Sequence, residues 1–153
     1  SIDPDAYRQP CSGIIIANPN APTGLLLSLA DIRKLASEHS NAVIVIDEAY
    51  IDFSQRESET QVSAVSLINE CDNIIVTQTF SKSRSLAGLR VGMTFANASL
   101  IEALTRMKNS FNSYPLDKLA QAGATASVLV ILTNRVSMST CVLQLVQQSR
   151  TAV

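Results

Sequence analysis

The chain has no tryptophan, and aromatic residues make up only 5% of its 153 positions. A surface that stacks bases needs aromatic faces, so nucleic acid is not an expected partner. Charge is also sparse, at 16% of residues with a formal net charge of −1. That leaves no basic excess to draw the chain to nucleic acid or to an anionic membrane. There is one histidine, His39, and the cysteines Cys11, Cys71 and Cys141 are too far apart in sequence for a C-x-x-C site. A metal centre and a Ser-His-Asp triad are therefore not expected, and the thiols read as free groups in a reducing cytosol. His39 reads as a residue on the solvated face of its helix.

No apolar run reaches the length of a membrane span. The opening SIDPDAYRQP has neither the charged region nor the apolar region of a secretory signal, so a cytoplasmic location is expected. It also has no initiator methionine, and the chain is expected to begin inside a longer protein. Neither a G-x-x-x-x-G-K phosphate loop nor a G-x-G-x-x-G dinucleotide turn occurs.

What is present is an apolar fraction of 46%, enough for a core, in a length that suits one domain. Gly13 to Ala17 (GIIIA), Ala42 to Ile46 (AVIVI) and Asn73 to Val76 read as buried strands. Arg90 to Ala96 reads as a fourth strand. Between the first two lies NPNAPTG, Asn18 to Gly24, whose prolines, asparagines and glycine enforce a turn. Ser28 caps a helix with Leu29, Ile32, Leu35 and Ala36 at helical spacing, ending near His39. Phe53 to Gln61 is polar and loop-like, and Val62 to Asn69 suits a short helix with Val65 and Ile68 on one side. Ser99 to Asn109 is an amphipathic helix, with Leu100, Leu104 and Met107 expected inward and Glu102, Arg106 and Lys108 outward. Alternating strands and helices predict an α/β fold with a mostly parallel sheet. Parallel connection then brings the loops after Ala17, Ile46 and Val76 to one edge of the sheet. Ligand-binding groups of such sheets gather at that edge.

Two stretches at that edge carry candidate chemistry. Asp47 and Glu48 follow the second strand directly, with Tyr50 two residues further. Thr77 to Gly92, TQTFSKSRSLAGLRVG, sets Lys82 among hydroxyl residues, with Arg90 eight positions on. Hydroxyls and a guanidinium suit a phosphate, and an amine can condense with a carbonyl group when unprotonated. A polar loop with two solvated cations has the same composition, and Asp47 beside Lys82 is also what a salt bridge looks like. Taken together, the groups meet the needs of pyridoxal phosphate: a lysine for its aldehyde, an acid for its ring nitrogen, a phenol for its phenolic oxygen, and hydroxyls with a cation for its phosphate.

With NPNAPTG, VIVIDEAYIDF, TFSKSRSLAGLRVG and KNSFNSYPLDKLAQAGA in this order, the chain resembles the fold-type I, class I/II aminotransferases, and within them the histidinol-phosphate branch. The resemblance runs through residues 13–125. It implies a partial large domain of a pyridoxal-phosphate enzyme, with a mostly parallel sheet and flanking helices. It implies transamination between histidinol phosphate and 2-oxoglutarate; aromatic transamination or threonine-phosphate decarboxylation are the related alternatives. Amino-acid and 2-oxo-acid substrates are the implied partners, and a homodimer is implied for the whole enzyme.

The same resemblance assigns roles. Lys82 condenses with the cofactor and then shuttles the proton; Asp47 pairs with the ring nitrogen; Tyr50 bonds the phenolic oxygen. Ser81 and Arg90, with Thr79, hold the phosphate. The position directly before P-T-G, where much of the family has the cofactor-bonding asparagine, is Ala21 here, and that role is carried over to Asn20. Asn112 to Pro115 resembles a segment that lies near the substrate.

Family members are more than twice as long as this chain. The expected division is residues 1–126 as the central part of the cofactor-binding domain and 127–153 as an atypical tail, the product of a frameshift or truncation. On that reading the chain alone is expected to be inactive, and a non-catalytic remnant is the competing hypothesis.

Overall fold

A computed structural model describes residues 4–7, 9–54, 62–134 and 144–147. Its sheet has the strand order β1-β2-β3-β4-β5. These are β1 (Gly13–Ala17), β2 (Val43–Asp47), β3 (Ile74–Thr79), β4 (Val91–Ala96) and β5 (Gln144–Gln147). The first three pair in parallel, and β4 pairs antiparallel with both β3 and β5. The sheet is therefore mixed, with β4 running against the other described strands. The short connection from β3 to β4 has no room for a crossover helix, which a parallel neighbour requires. The carboxyl ends of β1, β2 and β3 do share one edge, with Ala17, Asp47 and Thr77 in register.

The helix α1 (Leu29–Glu38) starts where expected: Ser28 Oγ accepts from the Asp31 amide at 3.1 Å. Ile32, Leu35 and Ala36 on its inner face are buried against Ile14, Ile16, Ile44 and Ile46. Its last turn is tied down by Asn73, whose Nδ2 lies 3.1 Å from the Ala36 carbonyl and 3.0 Å from those of His39 and Ala42.

The link from β2 to β3 contains α2 (Ile51–Ser54) and a 3₁₀ turn, Ala64–Leu67. Ala64 and Leu67 are its buried residues; Val65 and Ile68 pack half-buried beside them. Phe53 and Ser54, expected in a loop, are helical, while residues 55–61 lie outside the described residues. At the β4 end the same core takes in Phe80, Val91, Met93, Phe95 and Leu116. Ala120 and Ala124 of α4 (Lys118–Asn134) close it there.

The opposite sheet face is less covered. Ile15, Val45 and Ile75 line up across it in register, yet Ile15 is 76% exposed and Ile75 only 7%. The helix α3 (Ala98–Phe111) packs against β4 and buries Ile101. Leu100 and Leu104 are half-buried, and Met107, expected inward, is 66% exposed. The buried residue of α3, Ile101, lies in its first turn, and Met107 and Phe111 toward its other end are exposed. The helix α4 runs across Ala126 without a break.

Candidate active site

The chain leaves β2 through two acids that part at once. Asp47, on the face shared with Val45, is exposed at the sheet edge. Its Oδ1 accepts from Thr77 Oγ1 at 3.1 Å, and its carbonyl accepts from the Asn18 amide at 2.8 Å. Glu48 turns inward and is 1% exposed. It accepts from Ser63 Oγ at 2.7 Å, the Ala64 amide at 2.6 Å and Gln78 Nε2 at 2.8 Å. Burial pushes its carboxyl above the usual carboxylate range, against the pull of those hydrogen bonds. Of the two acids, only Asp47 is available to a ligand at the edge.

Strand β3 extends to Thr79, three residues beyond the expected end at Val76, because Gln78 and Thr79 pair with Met93 and Gly92. Gly92 permits this closeness: a Cβ there would sit 3.2 Å from the Gln78 carbonyl. The lysine loop then folds around Phe80, which is fully buried. The Phe80 amide donates to the Val91 carbonyl at 3.3 Å, and the Leu86 amide donates to the Phe80 carbonyl at 2.9 Å. Lys82 sits on the outside of this loop, exposed, with Nζ 5.3 Å from the centroid of the Tyr50 ring. That distance suits a cation–π contact. Ser85 and Arg90 adopt left-handed backbone angles, with φ of 55° and 54°. The Ser81 amide donates to Thr79 Oγ1 at 3.1 Å, so the Thr79 hydroxyl proton remains available to donate. Arg90 Nη1 donates to the Ala87 carbonyl at 3.1 Å.

Tyr50 is 39% exposed and stands at the start of α2. In the first turn of that helix, Asp52 Oδ2 accepts from Ser83 Oγ and lies 4.0 Å from Arg84 Nη2. The sequence reading singled out neither Asp52 nor Arg84. Arg84 has an 11% exposed side chain, and its guanidinium lies 5.4 Å from the centroid of the Phe80 ring. The available signal was spacing: Asp52 follows Tyr50 by two residues, and Ser83-Arg84 follows Lys82 directly.

The NPNAPTG turn divides its asparagines. Asn18 is fully buried; its Oδ1 accepts from the Leu27 amide at 2.7 Å and its Nδ2 donates to the Leu27 carbonyl at 3.3 Å. It closes the loop and is spent on that. Asn20 is half-buried, and its Nδ2 donates to Thr23 Oγ1 at 2.7 Å. The second amide hydrogen of Asn20 is the one left for a ligand. Tyr114, in the segment after α3, is 78% exposed, and its carbonyl accepts from Lys108 Nζ at 3.1 Å. His39 caps the end of α1, and its Nδ1 is 4.0 Å from Cys11 Sγ, a proximity the sequence separation hides. No group of three metal-ligating side chains exists among the described residues. No helix among them is long and apolar enough to cross a membrane.

The edge thus carries a carboxylate, a phenol, an exposed amine and, in the loop that follows β3, hydroxyls and a guanidinium. By its chemistry this donor set fits pyridoxal phosphate. A profile of the Aminotransferase class I and II family matches residues 2–150. Over 132 residues, 84% of this chain, the sequence is 86% identical to histidinol-phosphate aminotransferase 2 of Psychrobacter arcticus, covering 35% of that protein. Over 122 residues, 80% of this chain, it is 62% identical to histidinol-phosphate aminotransferase of Acetobacter pasteurianus, covering 33% of it. Among solved structures, histidinol-phosphate aminotransferase from Sinorhizobium meliloti in complex with pyridoxal-5'-phosphate shares the fold, with a TM-score of 0.68. That match is 23% identical over 85% of this chain and 35% of the other, a likeness of fold alone. The chain spans about a third of the length of the curated relatives it matches. With the family profile running through nearly all of its residues, the chain belongs to the class I and II aminotransferases.

Proposed function

We propose that these residues form the cofactor side of a pyridoxal-phosphate aminotransferase site, and that the protein transfers an amino group between histidinol phosphate and 2-oxoglutarate. The proposal includes a cytoplasmic location and a homodimer for the whole enzyme. The observation that carries it is the contact between Lys82 Nζ and the Tyr50 ring, 5.3 Å apart, at the sheet edge where Asp47 also ends its strand. The substrate assignment is supported by the two relatives, both histidinol-phosphate aminotransferases by name.

When bound, pyridoxal phosphate supplies an aldehyde for amines and a ring that withdraws electrons from the bond broken at the substrate's α-carbon. The chain's residues hold and protonate. The Asp47 carboxylate, exposed at the edge, would pair with a protonated ring nitrogen of the cofactor. Tyr50 Oη donates to an anionic phenolic oxygen, with the free amide hydrogen of Asn20 as a second donor. Thr79 and Ser81 donate hydroxyl protons to a phosphate, and Arg90 adds the charge that offsets it. Lys82 Nζ, on a flexible four-carbon stem, removes a proton at one atom and returns it at another.

The test is borohydride trapping of the chain mixed with pyridoxal phosphate, followed by mass spectrometry. A pyridoxyl label at Lys82, absent from Lys82→Ala, is the expected result. Labelling spread over Lys34, Lys108 and Lys118 with none at Lys82 would overturn the assignment. Transamination assayed with histidinol phosphate and 2-oxoglutarate then separates a working enzyme from a remnant that binds cofactor without turnover.

A further inference from the structure

We propose that Asp52 is the positioning residue that fixes Lys82 against Tyr50, a role that rests on Lys82 being the lysine that takes the cofactor. Lys82 and Tyr50 belong to separate loops, one after β3 and one after β2. Lys82 is exposed, and its stem has enough rotatable bonds to swing the amine away from the edge. What keeps the amine near the ring is therefore the placement of the two backbones.

Asp52 joins them. It lies two residues after Tyr50, and Ser83, which donates its hydroxyl proton to Asp52 Oδ2, directly follows Lys82. The same oxygen faces Arg84 Nη2 at 4.0 Å. Arg84 cannot easily leave. Its side chain is 11% exposed, its guanidinium stacks on Phe80, and its Nη1 reaches the Ser127 carbonyl at 3.4 Å. Arg84 Nε is buried with no hydrogen-bond partner among the described residues, so the cation is short of partners. A mostly buried cation needs a nearby anion, and the attraction is screened less there than in water. Asp52 answers that need from the Tyr50 side, which draws α2 onto the lysine loop. Removing the carboxylate unties the two segments, and a misplacement of about 1 Å costs up to about 100-fold in a reaction that depends on approach geometry.

The test uses the whole chain and two readouts. The first needs no cofactor: the ring-current shift that Tyr50 imposes on the Lys82 ε-methylene protons, measured by NMR with Tyr50→Leu as the zero point. It is expected to vanish in Asp52→Ala and to survive in part in Asp52→Asn, which keeps an acceptor for Ser83 but drops the charge facing Arg84. The second is borohydride capture of pyridoxal phosphate at Lys82, expected to slow about tenfold or more in Asp52→Ala. Binding of pyridoxamine phosphate, which has no aldehyde for Lys82, is expected to fall by less than capture does, because Asp47 and Asn20 lie outside the two joined segments.

An unchanged Lys82 shift and unchanged capture in a folded Asp52→Ala chain would overturn the proposal. So would an equal loss of pyridoxamine phosphate affinity, which would make Asp52 a general support of the fold. If Asp52→Ala does not fold, Ser83→Ala removes the same hydrogen bond while leaving the Arg84 pair, and is expected to reduce the shift in part; an unchanged shift there would overturn the proposal. If the unmutated chain is never labelled at Lys82, the cofactor reading fails, while the NMR shift still decides the role of Asp52.

Discussion

Asp47 and Glu48 are neighbours in the chain, yet Asp47 stands exposed at the sheet edge and Glu48 is 1% exposed beneath it. Alternation along an extended chain sends successive side chains to opposite faces, so one acid meets ligand and the other meets protein. Glu48 takes hydrogen bonds from Ser63, Ala64 and Gln78, and so ties the strand end to the 3₁₀ turn and to β3.

Glu48→Gln is expected to cost about 2–3 kcal/mol, since an amide cannot accept from all three donors and a buried donor loses its partner. The pH dependence has a definite sign. Burial raises the folded-state pKa of Glu48 above its unfolded value. The folded chain then holds a proton that the unfolded chain has released, so the contribution is full below the unfolded pKa. It declines as pH rises through the window from the unfolded to the raised folded value. Urea melts across that window should show stability falling in the unmutated chain relative to Glu48→Gln; a relative rise contradicts the assignment.

Asn73 serves three carbonyls at the end of α1 and the entry to β2. Asn73→Ala is expected to destabilise by about 2 kcal/mol. Asn73→Asp should cost more, because it sets an acceptor against three acceptors. Chemical denaturation of the two variants reads the order, and equal losses would mean the amide donor is not what matters.

Ser85 holds a left-handed angle that a Cβ disfavours. Ser85→Gly is expected to be neutral or stabilising by up to about 1 kcal/mol, and Ser85→Val to be destabilising by about 1 kcal/mol or more. Thermal melts give the sign; a stable Ser85→Val chain would show that the loop relaxes at no cost.

Met107 and Phe111 are 66% and 77% exposed on one flank of α3, four residues apart. Replacing both with lysine should leave stability within about 0.5 kcal/mol per site, as surface changes usually do. It should also raise the protein concentration at which light scattering begins. A large drop in melting temperature would mean the pair is packed in solution.

The sequence by itself determined the α/β character, the first three strands, the Ser28 cap and inner face of α1, and the short list of groups at one sheet edge. Each of these depends on local chemistry: β-branched runs, a capping hydroxyl, helical spacing of apolar residues, and acids or a lysine placed directly after a strand. The direction of β4, the inward turn of Glu48, the closure of the NPNAPTG loop by Asn18, the exposure of Met107 and the joining of Asp52 to Ser83 and Arg84 came only with tertiary structure. Those outcomes depend on which backbones lie side by side. A residue's pattern with its near neighbours carries no record of that, because partners such as Asp52 and Ser83 are about thirty positions apart.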